Sequence, residues 1–457
     1  MDRPEDVLIR RLLARIGLDR TETRAWAMYD WANSAFQCTI ITAVFPIYYG
    51  TVAAAGLPGT TATARFATAT TIALSIIAVA SPILGAYADL VGAKKRMLAL
   101  GMGVGVTATA AMFLIREGDW RLAEWLFVVA NIGISASFVF YDSLLPHVAS
   151  DAEMDRVSSA GYALGYLGGG LLLVINLLWI MKPAWFGLPD AGTASRLSFA
   201  SVAVWWVTFS IPLFRHVKEP PVTPDAAALA AGNIVRASFV QLSDTLRELR
   251  RYRQAVVMLL AFLVYNDGIG TIIRMAGLYG AEMRLPQSAL IGAIVMVQFV
   301  GIPFAVLFGR LAGHIGAKRA IFLSLVVYTV IGILGYRMTS IWEFYLLAFL
   351  VGTVQGGSQA LSRSLFATMI PRHKSSEFFG FFAVFEKFAG IFGPALFALT
   401  ISLTGSSRNA ILSVIAFFVV GAALLALVDV EAGQRAARDA ERARGGAMTA
   451  SGSTAAG

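Results

Sequence analysis

Twelve windows of about 20 mostly apolar residues follow one another along the chain, at 26–50, 66–88, 97–115, 122–142, 159–181, 197–214, 255–281, 287–309, 319–336, 342–362, 377–402 and 408–428. A helix of that length covers the ~30 Å hydrocarbon core of a bilayer. In lipid a backbone must satisfy its own hydrogen bonds, so long continuous runs select helices over strands. Of the 457 residues, 57% are hydrophobic and 14% charged, against ~25% charged in a soluble domain. The expected fold is therefore an all-α membrane protein, and a coiled coil, a disordered tail protein and a nucleic-acid binder are excluded. Cys38, the one cysteine, lies in an apolar run and rules out an intrachain disulfide.

The few charges orient the chain. Of 37 Lys and Arg, 27 fall in the termini and the even-numbered connections and 8 in the odd-numbered ones, with Arg274 and Lys387 inside spans. The positive-inside rule then expects both termini in the cytoplasm and the protein in the inner membrane. The net charge of +9 suits a bilayer with anionic headgroups as partner. Before the first span, Leu8, Leu12 and Ile16 share one helical face while Arg10, Arg11 and Arg15 share another, as expected of a helix lying on that surface and not of a secretory signal.

Five regions are expected: an amphipathic segment 1–25, a six-helix bundle 26–214, a cytoplasmic linker 215–254, a second six-helix bundle 255–428 and a disordered tail 429–457. The linker carries Pro220, Pro221 and Pro224, then a basic run with Arg247, Arg250, Arg251 and Arg253 suited to a surface helix. An internal repeat supports the division. GAYADLVGAKKR (85–96) aligns without gaps to GRLAGHIGAKRA (309–320), so that Gly85/Gly309, Ala88/Ala312, Gly92/Gly316, Ala93/Ala317 and Lys94/Lys318 coincide at equivalent points of the topology, and Pro146 matches Pro371 nearly in register.

Gly85, Asp89, Gly92, Lys94 and Arg96 resemble the cytoplasmic loop signature of the major facilitator superfamily. The strings YDWANSAF (29–36), ALGYLGGGLLL (163–173), YNDGIGTIIRMA (265–276), SQALSRSLF (358–366) and EFFGFF (377–382) are similar to its vacuole-effluxer-like branch, typified by the yeast vacuolar amino-acid effluxer. The resemblance implies two pseudo-symmetric six-helix bundles that rock about a central site in alternating access. It also implies a latch in which Asp89 meets an arginine or a helix terminus near the start of span 11. The second copy has Gly313 at the acid's place, so the latch is expected to be asymmetric.

An ionisable group in a span costs about 2.5–3.5 kcal/mol on insertion scales and needs a partner, water or a task. In span 1, Asp30, Asn33 and Gln37 share a narrow arc; they line a cavity or, alternatively, Asp30 bonds a neighbouring helix. Span 7 carries Asn266, Asp267, Thr271 and Arg274. Asp267 and Arg274 lie about 10 Å apart along the axis, so each is expected to meet a side chain elsewhere, with Glu386, Lys387 and Asp142 as candidates. Further polar faces are Asn131, Ser135 and Asp142 in span 4, Tyr162, Tyr166 and Asn176 in span 5, and Gln355, Ser358, Gln359 and Ser362 in span 10, with Arg363 at its cytoplasmic end. Such stripes bind a polar solute or glue helices together. Glycines four apart, including Gly101/Gly105 and Gly161/Gly165/Gly169, point to helix packing; GMGVGV lacks the strand and spacing of a nucleotide loop.

All four histidines are expected in cytoplasmic loops, which leaves no embedded histidine relay and no metal cluster. No cofactor is expected. If a proton or sodium ion is coupled, Asp30, Asp267 or Glu386 must carry it. The expectation is a secondary active transporter of a small solute, with amino-acid efflux implied by the resemblance and sugars, peptides or drug-like metabolites as alternatives. A membrane enzyme lacks a nucleophile or metal constellation, and a receptor or scaffold would carry a structured soluble domain.

Overall fold

In the computed structural model, residues 11, 13–221, 251–283, 285–390 and 392–454 are described. Leu8, Arg10 and Leu12, and the linker's Arg247 and Arg250, lie outside them. Among the described residues the structure is helical, with no strand. Helices α1 (Thr21–Ala53), α2 (Gly59–Val91), α3 (Lys94–Ala111), α4 (Trp120–Val148), α5 (Met154–Met181) and α6 (Ala191–His216) form the first half. The second half contains α7 (Arg253–Glu282), α8 (Gln287–Ile315), α9 (Ala317–Arg337), α10 (Ile341–Thr368), α11 (Ser375–Phe388), α12 (Phe392–Thr404) and α13 (Ser407–Ala426). Eleven helices among the described residues are long and apolar enough to cross a membrane. The remaining expected span, 377–402, is divided into α11 and α12.

Apolar side chains point outward as well as inward, as lipid allows. Val79, Leu100, Trp125, Val204 and Trp342 are each more than 60% exposed. Inside a half, small residues let helices meet backbone to backbone: a methyl on Gly133 would collide with the backbone of Gly105, and one on Gly101 would reach 3.0 Å from the Ser137 nitrogen. GMGVGV is thus a packing surface of α3. Cys38 is packed between α1 and α5, where a Cβ on Gly169 would lie 2.9 Å from its Sγ. α1 is α-helical over Thr21–Phe36 and π-helical over Gln37–Ala43 and Tyr49–Ala53, a local widening common at functional sites.

One end of the bundle, here the terminal face, gathers the chain's start, the loops after α2, α4 and α10, and the tail. Arg20 bonds the Val148 carbonyl and Glu153; Arg372 bridges Asp151 of the first half and approaches Glu441 of the tail. The tail after Asp429, expected to be disordered, is instead helix α14 (Val430–Thr454). Its Ala, Arg and Glu residues favour a helix wherever one face finds cover. Here Ala437 and Ala440 are buried, Gln434 bonds Thr368 at 3.4 Å and Glu441 accepts the Arg372 amide at 3.0 Å.

The halves touch along two seams. Where α2 crosses α11, a methyl on Gly85 would run into the Ser376 carbonyl, and one on Gly380 would lie 2.7 Å from the Ser81 carbonyl oxygen. Where α5 crosses α8, Gly309 abuts Ser159 and Gly301 abuts Tyr166. Both seams hold the terminal face shut.

Candidate functional site

Arg363 occupies the centre of the closed end. Its side chain is 3% exposed, and every donor group is engaged. Nε donates to Ser158 Oγ at 2.9 Å, Nη1 to Asp142 Oδ1 at 3.0 Å, and Nη2 to Asp30 Oδ2 at 3.3 Å and the Ser158 carbonyl at 3.0 Å. Its guanidinium carbon lies 4.9 Å from the Trp26 ring centroid and 4.6 Å from that of Tyr162, a cation–π enclosure that replaces water. Tyr141 donates to Asp30 at 2.8 Å and stacks on Trp26 at 4.5 Å. Gly161 makes room, since a Cβ there would sit 2.5 Å from Asp30 Oδ2. One cation from the second half thus holds two carboxylates of the first, an excess of one negative charge when all three are ionised.

From sequence, Arg363 is expected at a cytoplasmic helix end and Asp142 as a partner for span 7. The structure instead buries Arg363 between the halves and pairs Asp142 with it. The available signal was an arginine following the polar face of Gln359 and Ser362.

The second half holds a different pair. Arg274 folds back along α7 to bring Nη2 to 3.9 Å from Asp267 Oδ1, correcting the expectation that the two are too far apart to meet. Asp267 Oδ2 also accepts the Gly393 amide at 2.8 Å, so the carboxylate caps the opening turn of α12. Thr271 seals the joint, leaving no room for a side chain at Gly393. Arg274 is 45% exposed, and a Cβ on Gly390 at the α11–α12 break would lie 3.5 Å from its Nη1. Glu386 and Lys387, offered as partners for span 7, pair with each other at 3.6 Å.

The repeat loops also diverge. Asp89 accepts the amides of Ser376 at 3.2 Å and Glu377 at 2.8 Å, the first turn of α11, and is paired with buried Lys94, whose ammonium also reaches Ser375 and Ser376 at 2.9 Å. The helix terminus, rather than an arginine, is therefore Asp89's partner across the seam. In the second copy a methyl on Gly313 would meet open space, and Lys318 donates to the Ala426 and Val428 carbonyls at the end of α13. In the first half, Lys95 plays that part, donating to the Phe214 and Val217 carbonyls at the end of α6. Gly92 and Gly316 have positive φ, 67° and 85°, and turn the chain.

Other expected site residues scatter. Tyr162 joins the Arg363 cluster; Tyr166 packs against Gly301 and Gly356 at the α5–α8 seam. Asn33 is fully buried beside Asp30, whereas Gln37, Asn266, Gln355 and Gln359 are half-buried. Asn131 bonds the Phe127 carbonyl of its own helix, and Asn176 ties Thr39 to Ser201, so both serve packing. The histidines sit at the terminal face, three of them at helix ends and not in loops, His147 in α4, His216 in α6 and His314 in α8, and His373 in a single 3-10 turn of the α10–α11 connection. His147 lies 3.3 Å from Ser375 across the seam. Among the described residues no cluster suited to a metal ion occurs.

Comparison with known proteins sets this geometry in a family. The family described as "Vacuole effluxer Atg22 like" matches residues 57–438. The Bacillus subtilis (strain 168) protein named "Uncharacterized MFS-type transporter YxiO" is 38% identical over 419 residues, covering 90% of this chain and 95% of the relative. "Autophagy-related protein 22" of Yarrowia lipolytica is 28% identical over 312 residues, covering 62% of this chain and 51% of that one. Among solved structures, the proton:xylose symporter XylE superposes with a TM-score of 0.64 at 12% identity, covering 91% and 96% of the two chains. FucP in the outward conformation gives 0.62 at 11%, covering 91% and 99%. These relatives and neighbours are transporters and not enzymes. The chain belongs to the vacuole effluxer Atg22-like family of major facilitator superfamily transporters.

Proposed function

We propose that the protein exports a small zwitterionic solute, with amino acids as the leading class, by alternating access in the inner membrane with both termini cytoplasmic. The observation that carries this reading is the uneven distribution of charge contacts. The terminal face is locked by Arg363 and Asp89, while Arg274 and Glu386 remain exposed above it beside the α11–α12 break. A carboxylate suits Arg274 and Lys387; an ammonium suits Glu386 and Asp267. Opening the terminal face would require the Arg363 contacts to part. The excess carboxylate there gives a proton a place to bind as they do, which favours proton coupling over sodium.

Purified protein in liposomes, tested with a labelled amino-acid panel under imposed proton and sodium gradients, checks the reading. Gradient-dependent movement is expected, and Asp30→Asn and Asp267→Asn should each abolish it in folded protein. Full transport by both variants would reject the site; transport of sugars but no amino acid would reject the substrate class.

A further inference from the structure

Three arginines from three separate elements line one cleft at the terminal end of the α5–α8 seam. Arg15 comes from the segment before α1, Arg156 from the first turn of α5 and Arg310 from the last turns of α8; Ile16, Ala160 and Val306 supply the apolar remainder of a shallow surface cleft. Among the described residues no carboxylate lies within ion-pair distance of any of the three guanidiniums. Of the nearby acids, Glu153 is ion-paired with Arg20 at 2.8 Å and only sensed by Arg156 at longer range, and Asp155 accepts a hydrogen bond from Ser364.

The placement of Arg15 is built. The helical turn before α1 ends at Gly17, whose φ is 77°, with Leu18 N bonding the Leu13 carbonyl at 2.8 Å and Gly17 N the Ala14 carbonyl at 3.2 Å. This pair of bonds is a helix stop that only glycine takes without strain. A Cβ on Gly17 would lie 2.9 Å from Val157 Cγ2 and 3.4 Å from Arg156 Cβ, so the turn is pressed onto the start of α5, beside Arg156. Three cations with no ion-paired carboxylate among the described residues, over an apolar floor and near the terminal ends of α5 and α8, suit a phosphodiester with an acyl tail beneath it.

We propose that this cleft binds the headgroup of an anionic phospholipid, and that the bound lipid staples the two halves together at the terminal face. Arg156 belongs to the first half and Arg310 to the second. Gly309 and Ser159 touch one residue inward of the cleft, so parting of α5 from α8 would pull the cations apart and dismantle the site. A ligand that binds only the closed arrangement stabilises it by mass action. The proposal borrows from the preceding reading only that the terminal face opens during the cycle; lipid binding stands whatever solute is carried.

The full chain in neutral detergent, titrated with phosphatidylglycerol, phosphatidylcholine or inorganic phosphate, tests the proposal by its thermal unfolding midpoint. Phosphatidylglycerol should raise the midpoint by several degrees and the other two should not. The triple variant R15Q/R156Q/R310Q should lose that rise; if it does not fold, R310Q alone, at an exposed position, should reduce it. An equal rise with phosphate would identify a free-anion site, and an undiminished rise in the variants would place the lipid elsewhere; either overturns the assignment. In vesicles, a Ser159→Cys thiol should react with maleimide several-fold more slowly when phosphatidylglycerol is present, and equal rates would refute the staple. Failure of transport in the earlier experiment leaves all these readouts intact.

Discussion

Asp30 and Asp267 stand on α1 and α7, corresponding helices of the two halves, and each meets an arginine, yet the two pairs are built for different service. Asp30 meets Arg363 from the other half inside an enclosure of Trp26, Tyr141 and Tyr162, with the arginine side chain 3% exposed. Asp267 meets Arg274 of its own helix, 45% exposed and 3.9 Å away. In the proposed alternating-access cycle the first pair would part as the halves separate, and the second would travel with its half. On that proposed reading the contact between halves would report conformation, and the exposed arginine within one half would be the group left to meet a solute.

The comparison breaks most directly at Arg363. Arg363→Ala strands two buried carboxylates, a loss worth about 3–5 kcal/mol when one member of a buried pair is removed. Thermal unfolding should fall sharply and the terminal face should open to thiol reagents. An unchanged midpoint would show that the cluster is not a lock. Gly161→Ala comes next: its methyl would lie 2.5 Å from Asp30 Oδ2, so overpacking of about 1–3 kcal/mol is expected. Combining it with Asp30→Asn should cost less than the two changes added together; strict additivity in that cycle would mean the methyl never meets the carboxylate.

Arg274→Gln sharpens the other side of the contrast. Arg274 is 45% exposed but Asp267 only 1%, and that carboxylate keeps the Gly393 amide when the arginine is removed, so the midpoint should fall less than in Arg363→Ala while solute uptake falls at least several-fold. Unaltered uptake would remove Arg274 from the solute path. The smallest effect is expected for Glu441→Gln in α14, which withdraws the carboxylate that accepts the Arg372 amide and should change stability by less than about 1 kcal/mol. A large loss there would make the tail helix part of the lock.

The spans were readable because bilayer thickness sets their length whatever the neighbours are. Asp89 at the start of α11 was readable too, through the motif resemblance and the missing acid at Gly313. The break between α11 and α12 was passed over although Gly390, Gly393 and Pro394 marked it, because mean hydropathy stays high across the gap. Arg363 escaped because what makes its burial tolerable, Asp30 and Asp142, comes from more than 200 positions away and no local pattern records such a debt. The helix of residues 430–454 was misread for the opposite reason. Its composition looked solvated, but the cover it needs, Met369 against Gly433 and Arg372 against Glu441, is tertiary.

Cys38, sealed between α1 and α5 at 4% exposure, gives the molecule a convenience for spectroscopy. A chain whose only native thiol is shielded can carry fluorophores or spin labels at introduced cysteines on either face with little background. If a substrate cycle ever loosened α1 from α5, that same sulfur would begin to react and keep time for the motion.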